Sequence, residues 1–86
     1  MIIIIIYTMT ELSNLRKGDR AIVVQYQNET PLTNHLRILG LVPGTELNVR
    51  NPAPFGGSFQ IDFRGHSIGL RKQDMQQVKV QKIVMP

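Results

Sequence analysis

A mainly β fold, a small barrel of short antiparallel strands with one short helix, is predicted by three features of this sequence. Phe59, Ile61 and Phe63 alternate with polar residues, which is the period of a strand buried on one face. Glycine turns separate several other β-prone runs. The length of 86 residues, 42% of them hydrophobic, supports one compact domain and no second one. Short antiparallel strands protect their edges most economically by curling into a barrel.

The predicted elements follow one another without a Ser-rich or low-complexity linker. Their order is a strand over residues 20–26, the helix from about Thr33 to Leu39, strands over residues 46–50, 59–64 and 67–70, one helical turn over residues 72–76, and a last strand over residues 78–80. The predicted inward-facing residues are Val23, Leu47, Val49, Phe59, Ile61, Phe63, Ile68, Leu70, Val78 and Val80. This pattern alone does not distinguish an SH3-like barrel from an OB-like one.

The helix is predicted from its apolar spacing and from its end. Leu32, Leu36 and Leu39 fall on one stripe of a helix, whereas Thr33, Asn34 and Arg37 are expected to point elsewhere. Gly40 stands at the position of a helix C-cap, and a Pro43-Gly44 turn follows it. Ile38 lies about 120° around the helix from the leucine stripe, so we expect it to be exposed.

The N-terminus, residues 1–9, is predicted to be a β-prone extension of the domain. Ile2 to Ile6 are five consecutive isoleucines, and no charge follows until Glu11. Such a segment pairs with any open sheet edge. It can add a strand to its own barrel, pair with a neighbouring chain, or be absent if translation starts at Met9. The second option is favoured, because alternate isoleucines cannot all point into a filled core; a homo-oligomer through Ile2 to Ile6 is therefore expected.

Catalytic, metal and cofactor sites are not predicted. The chain has no cysteine, and its two histidines, His35 and His66, lie in different predicted elements without a second ligand at a suitable spacing. The carboxylates are dispersed, with no pairing of a nucleophile and a base. The pair Gly56-Gly57 lacks the Lys and Ser or Thr of a phosphate-binding loop. The chain is therefore not expected to be an enzyme.

Two binding functions remain open. The formal net charge of +4 favours an acidic or polyanionic partner, and small basic barrels bind nucleic acids through exposed aromatic rings. Only Tyr26 and Phe55 are available as such rings, since the other phenylalanines are assigned to the core. Protein binding fits better, because Ile38 and Phe55 are apolar residues without a core position, with Arg37 at their polar rim. These three residues, Ile38, Arg37 and Phe55, are the predicted partner-binding site.

No targeting or membrane segment is predicted. The apolar run Ile2 to Ile6 has no preceding Lys or Arg, no full-length apolar core and no small-residue cleavage site. Every longer window is interrupted by polar residues, whereas a membrane helix needs about 20 apolar residues. A soluble or peripheral protein is expected, and the absence of cysteine is compatible with a reducing cytoplasm.

Several motifs together resemble the FeoA family, the small cytoplasmic component of bacterial ferrous iron uptake. Residues 36–44 follow the family signature Leu-x-x-Leu-Gly-Leu-x-Pro-Gly, and residues 12–19 resemble its opening turn. The further matches are Pro54-Phe55-Gly56-Gly57 to a Pro-x-Gly loop, Ile68-Gly69-Leu70-Arg71 to a late strand, and Val78-Lys79-Val80 to the closing strand. Gly69 and Met75 depart from the alanine-like residues usual there. The resemblance defines a domain over residues 10–82, with residues 83–86 as a C-terminal tail.

The resemblance implies an SH3-like barrel and an accessory role in ferrous iron uptake. The implied partner is the cytoplasmic part of the FeoB permease, which carries a GTP-binding domain, so the chain is expected to reach the inner membrane only through that partner and to carry no iron itself. Two alternatives stay open: a small basic β-barrel that binds nucleic acid, and a stand-alone relative of the SH3-like domain of iron-dependent repressors.

Overall fold

The structure, a computed structural model, describes residues 6–51 and 58–84. Its strands are β1 (Ile6–Glu11), β2 (Arg20–Tyr26), β3 (Glu46–Asn51), β4 (Ser58–Phe63), β5 (His66–Arg71) and β6 (Val78–Val84), and its helices are α1 (Pro31–Ile38) and α2 (Lys72–Met75). A 3₁₀ turn, Leu12–Asn14, follows β1. The predicted mainly β fold with one short helix is therefore confirmed.

All six strands form one antiparallel sheet in the order β1-β6-β2-β3-β4-β5. The register shifts between Val23 and Gln25 in β2 and between Val49 and Asn51 in β3. Such shifts increase local twist and bend a strand. Because β1 and β5 stand at the two ends of the strand order, they are the edge strands of the described sheet.

An additional N-terminal strand is present, and it belongs to its own chain. β1 pairs with β6 over its whole length, from Ile6 opposite Val84 to Glu11 opposite Lys79. Pairing with β1 also explains why β6 continues to Val84, beyond the predicted end at Val80. For residues 6–8 the structure shows strand addition within the chain, whereas pairing between subunits was favoured from the sequence. Residues 2–5 lie outside the described residues, so an oligomer through Ile2 to Ile6 stays a prediction.

The predicted core is confirmed in detail. Eight of the ten inward-facing residues are at most 3% exposed, and Phe59 and Ile68 pack partly buried against them. The sequence interpretation did not place five further core residues, which are Leu12, Leu15, Ala21, Leu41 and Met75. Four of these lie in connections or in the short α2, where no periodicity extends far enough to assign a face.

The helix begins two residues before the predicted start. Thr30 is the N-cap, and its hydroxyl accepts a hydrogen bond from the Thr33 N–H at 3.1 Å. The Thr33 hydroxyl accepts one from the Thr30 N–H at 2.8 Å. Pro31 occupies the first helical position, where its missing N–H costs nothing. The expectation that Thr33 points away from the core is wrong: it is fully buried, because this capping box satisfies its hydroxyl.

Candidate functional site

The candidate site lies at the C-terminal end of α1. Ile38, the last residue of the helix, has 82% of its surface exposed, which confirms the expected exposure. Leu36, two residues earlier, is buried in the core. Of the residues whose burial the structure describes, Ile38 and Met9 are the large hydrophobic residues that stand exposed. The fold therefore presents one isoleucine to solvent on an element that the core holds in place.

The chain after α1 is fixed by hydrogen bonds. The Leu41 N–H donates to the carbonyl of Leu36 at 2.9 Å, and the Gly40 N–H donates to that of Arg37 at 3.0 Å. Gly40 has a φ of +104°, the left-handed conformation of a helix C-cap. The Thr45 hydroxyl donates to the Gly40 carbonyl at 2.8 Å. Ile38 is thus followed by an ordered turn that is anchored to the core through the buried Leu41.

Tyr26 connects β2 to this turn. Its hydroxyl donates a hydrogen bond to the carbonyl of Leu41 at 2.6 Å. Burial raises the pKa of Tyr26 to about 12, although the positive charge of Arg37 acts in the opposite direction. Tyr26 is therefore partly buried and bonded at its polar end, and it is not the exposed ring that nucleic-acid binding requires.

Arg37 is held between two groups. Its guanidinium carbon lies 4.8 Å from the centroid of the Tyr26 ring, within the range of a cation–π contact. Its Nη2 donates to Glu29 Oε1 at 2.7 Å, and its Nη1 donates to the other carboxylate oxygen. These hydrogen bonds lower the pKa of Glu29. With 33% of its side chain exposed, Arg37 can still reach a partner from the rim of the site.

The β4–β5 hairpin reaches the same end of the helix. Arg64, in the turn of this hairpin, has a φ of +46°. A Cβ placed on Gly40 would lie 3.1 Å from Arg64 Cδ, so the arginine stem covers the glycine directly. Because Gly40 has no side chain, the hairpin can approach the turn after α1 this closely.

The three predicted partner-binding residues have different outcomes. Ile38 and Arg37 are neighbours in α1, as expected. Phe55 lies outside the described residues. Tyr26, Glu29 and Arg64 also shape the site, and the sequence interpretation did not include them in it, because their contacts join residues up to 24 positions apart, as in Arg64 and Gly40. The sequence marks Gly40 as a helix C-cap, and the approach of Arg64 to it is seen only in the structure.

The described residues contain no group of three or more histidine, cysteine, aspartate or glutamate side chains that could hold a metal ion. His35 is exposed on α1, and His66 is exposed at the start of β5, where its ring lies 5.6 Å from that of Phe63. The two imidazoles therefore belong to different elements, as the sequence predicts. In the described part of the chain, no helix is long and apolar enough to cross a membrane.

A comparison with family models matches residues 10–82 to the FeoA domain. A FeoA protein from Chlorobium tepidum is 32% identical, with a TM-score of 0.77, over 83% of this chain and 68% of that one. A FeoA from Stenotrophomonas maltophilia, complexed with zinc, is 27% identical, with a TM-score of 0.73, over 83% of this chain and 88% of that one. It is described as a prokaryotic SH3 domain protein and suggested to be a bacterial ferrous iron transport activating factor. The predicted SH3-like fold is thereby confirmed.

A manganese-dependent transcriptional repressor shares the fold alone, at 17% identity and a TM-score of 0.73 over 94% of this chain and 44% of the repressor. No curated protein sequence matches this chain.

Proposed function

Because this chain belongs to the FeoA family, we propose that it is an accessory protein of ferrous iron uptake that binds the cytoplasmic part of a FeoB permease. It acts without catalysing a reaction and without carrying iron. Membership of the family supports the transport role. The exposed C-terminal end of α1 supports the proposal that a partner protein docks there.

The exposure of Ile38 is the observation that carries this proposal. An isoleucine that is 82% exposed gains little from burial in the free protein, although Thr33 and Leu36 anchor its helix in the core. Covering such a side chain on binding contributes roughly 1.5 to 3 kcal/mol. A loss of about 1.4 kcal/mol weakens binding tenfold, so this residue alone can decide the occupancy of a micromolar complex.

Arg37 and Phe55 complete the proposed surface. The guanidinium of Arg37 is held by Glu29 and by the Tyr26 ring, so little rotamer entropy is left to lose when a partner covers it. Arginine held in this way suits the polar rim of an apolar contact. Phe55 is proposed as the second apolar contact, on the basis of its Pro-Phe-Gly-Gly sequence.

A cytoplasmic location follows from the same proposal, with the inner membrane reached only through the permease. The N-terminal run Ile2 to Ile6 is proposed to pair copies of the chain. The edge position of β1 supports this, because β1 pairs with β6 on one side and no described strand pairs with its other side.

Direct binding to the purified cytoplasmic GTP-binding domain of the FeoB permease from the same organism tests the proposed function. We expect a saturable complex at micromolar concentration. Absence of binding to that domain, together with absence of binding to the complete permease in detergent, contradicts it. A tighter complex with double-stranded or single-stranded DNA of arbitrary sequence favours the nucleic-acid alternative instead.

A further inference from the structure

β5, at the opposite edge of the sheet from β1, has an outer side that pairs with no described strand. Its six residues, His66–Arg71, pair with β4 in one continuous register, without the shifts that interrupt β2 and β3. Edge strands can be blocked by a proline or a bulge, and β5 has neither; its charged residues are Arg71 at its end and the flanking Arg64 and Lys72. Its outward N–H and C=O groups are therefore available to another extended chain.

The side chains of β5 leave room for such a chain. Leu70 is the one residue of this strand that is fully buried, and Ser67 and Gly69 are both exposed. A Cβ on Gly69 would lie 3.2 Å from the Cβ of Ser58 on β4, so the glycine allows close packing against its own neighbouring strand. Ser67 and Gly69 are both small, so they add little bulk beside an incoming strand.

The charge along this edge has one sign. Arg64, Arg71 and Lys72 are exposed, and none of them forms an ion pair with a described residue. No acidic residue occurs from position 63 to position 73. Asp62 is paired with Arg50 at 3.1 Å, and Asp74 accepts a hydrogen bond from the Arg71 backbone N–H at 3.3 Å.

The positive charge at this edge indicates which kind of chain can pair with β5. If two β5 edges paired in antiparallel fashion, the arginine before one strand would face the cations after the other, and like charges opposite each other are unfavourable. A second copy of β5 is therefore disfavoured. A segment with carboxylates at the end beside Arg71 and Lys72 would instead gain charge-assisted contacts in addition to the backbone hydrogen bonds.

We propose that β5 binds an extended acidic segment of a partner protein, which adds a seventh strand to the sheet beside His66–Arg71. At about 3.3 Å per residue, an added strand of about six residues covers this edge. The backbone supplies the affinity, and Arg71 and Lys72 select carboxylates. This site lies along β5, whereas Ile38 lies on α1; Arg64 borders both, and the proposal for β5 does not depend on the identity of the permease.

Amide NMR of the ¹⁵N-labelled chain tests the proposal with two synthetic peptides. One peptide alternates threonine and valine over four residues and ends in two glutamates, and the other carries lysines in place of the glutamates. We expect saturable shifts of the amides of residues 66–71 with the glutamate peptide and at least about tenfold weaker binding of the lysine peptide. The double variant Arg71→Gln, Lys72→Gln should weaken binding of the glutamate peptide at least about tenfold, and the amide spectrum of the variant reports whether it is folded.

The matched control is Arg16→Gln, Lys17→Gln, which removes two exposed cations outside β5 and should leave the affinity unchanged. The variant Ile38→Ser should also bind the glutamate peptide normally, so a failure of the permease contact does not affect this result. Equal binding of both peptides, or no saturable shift at β5 up to millimolar concentration, overturns the proposal. Tighter binding of a single-stranded oligonucleotide at the same amides also overturns it.

Discussion

The guanidinium carbon of Arg37 lies 4.8 Å from the ring centroid of Tyr26, so the last turn of α1 rests on the end of β2. The same ring is fixed at its other end by the hydrogen bond to the Leu41 carbonyl. One aromatic side chain therefore holds both the helix that carries Ile38 and the turn that follows it. The stability of the protein and the presentation of Ile38 are consequently coupled through Tyr26.

Tyr26→Phe removes this hydrogen bond and keeps the ring. The Leu41 carbonyl then loses its bond to the hydroxyl, and we expect the free energy of unfolding to fall by about 1 kcal/mol. For a domain of this size that lowers the thermal midpoint by roughly 4 to 8 °C. Differential scanning calorimetry measures the shift, and an unchanged midpoint would show that the bond contributes nothing.

The raised pKa of Tyr26 predicts a loss of stability in alkali. Because the folded protein holds the phenolic proton up to a pKa of about 12, against an ordinary value of 10.0, folding favours the protonated form. This contribution is complete below pH 10 and decreases as the pH rises toward 12. Urea unfolding between pH 9 and pH 12 should show a steeper decline for the natural chain than for Tyr26→Phe. Parallel declines contradict the assignment to Tyr26.

Ferrous iron should not bind tightly at one site. The described residues offer no cluster of three potential ligands, and the two histidines lie on α1 and β5. Anaerobic calorimetric titration should therefore give no one-to-one isotherm with a submicromolar dissociation constant. Such an isotherm, abolished by His35→Ala or by His66→Ala, would reinstate a carrier function.

Removal of the first eight residues should change the association state. The full chain is expected to form a dimer or larger assembly through Ile2 to Ile6, and a chain that begins at Met9 should be smaller, because it lacks this uncharged β-prone segment. Light scattering at matched concentrations compares the two. A full chain that stays monomeric at high concentration contradicts the prediction, and it would leave residues 6–8 with only the pairing within the chain.

The sequence predicted the sheet and most of its core because period-two alternation is a local signal. Phe59, Ile61 and Phe63 reveal their face without any knowledge of the partner strands. The burial of Thr33 could not be predicted in the same way, since it depends on a cap in which two threonines satisfy each other. A polar residue outside the apolar stripe of a helix is normally assigned to solvent.

The candidate site was only half predictable for a related reason. The exposure of Ile38 follows from the angle between side chains on one helix, and it is observed. The contacts that position Ile38 join residues far apart in the sequence. Tyr26 donates a hydrogen bond to a carbonyl 15 positions away, and Arg64, in the β4–β5 turn, covers Gly40. Single-sequence patterns contain no information on such pairs, so the residues that position Ile38 became visible only in the folded chain.

The affinity of Ile38→Ser for the purified cytoplasmic domain of FeoB tests the central claim most directly. The matched control is Met9→Ser, at another large hydrophobic residue that stands exposed in the described part of the chain. We expect Ile38→Ser to bind about tenfold more weakly or worse, with a thermal midpoint close to that of the natural chain, while Met9→Ser keeps its affinity. Wild-type affinity in Ile38→Ser, or a collapse of its fold, would contradict the account.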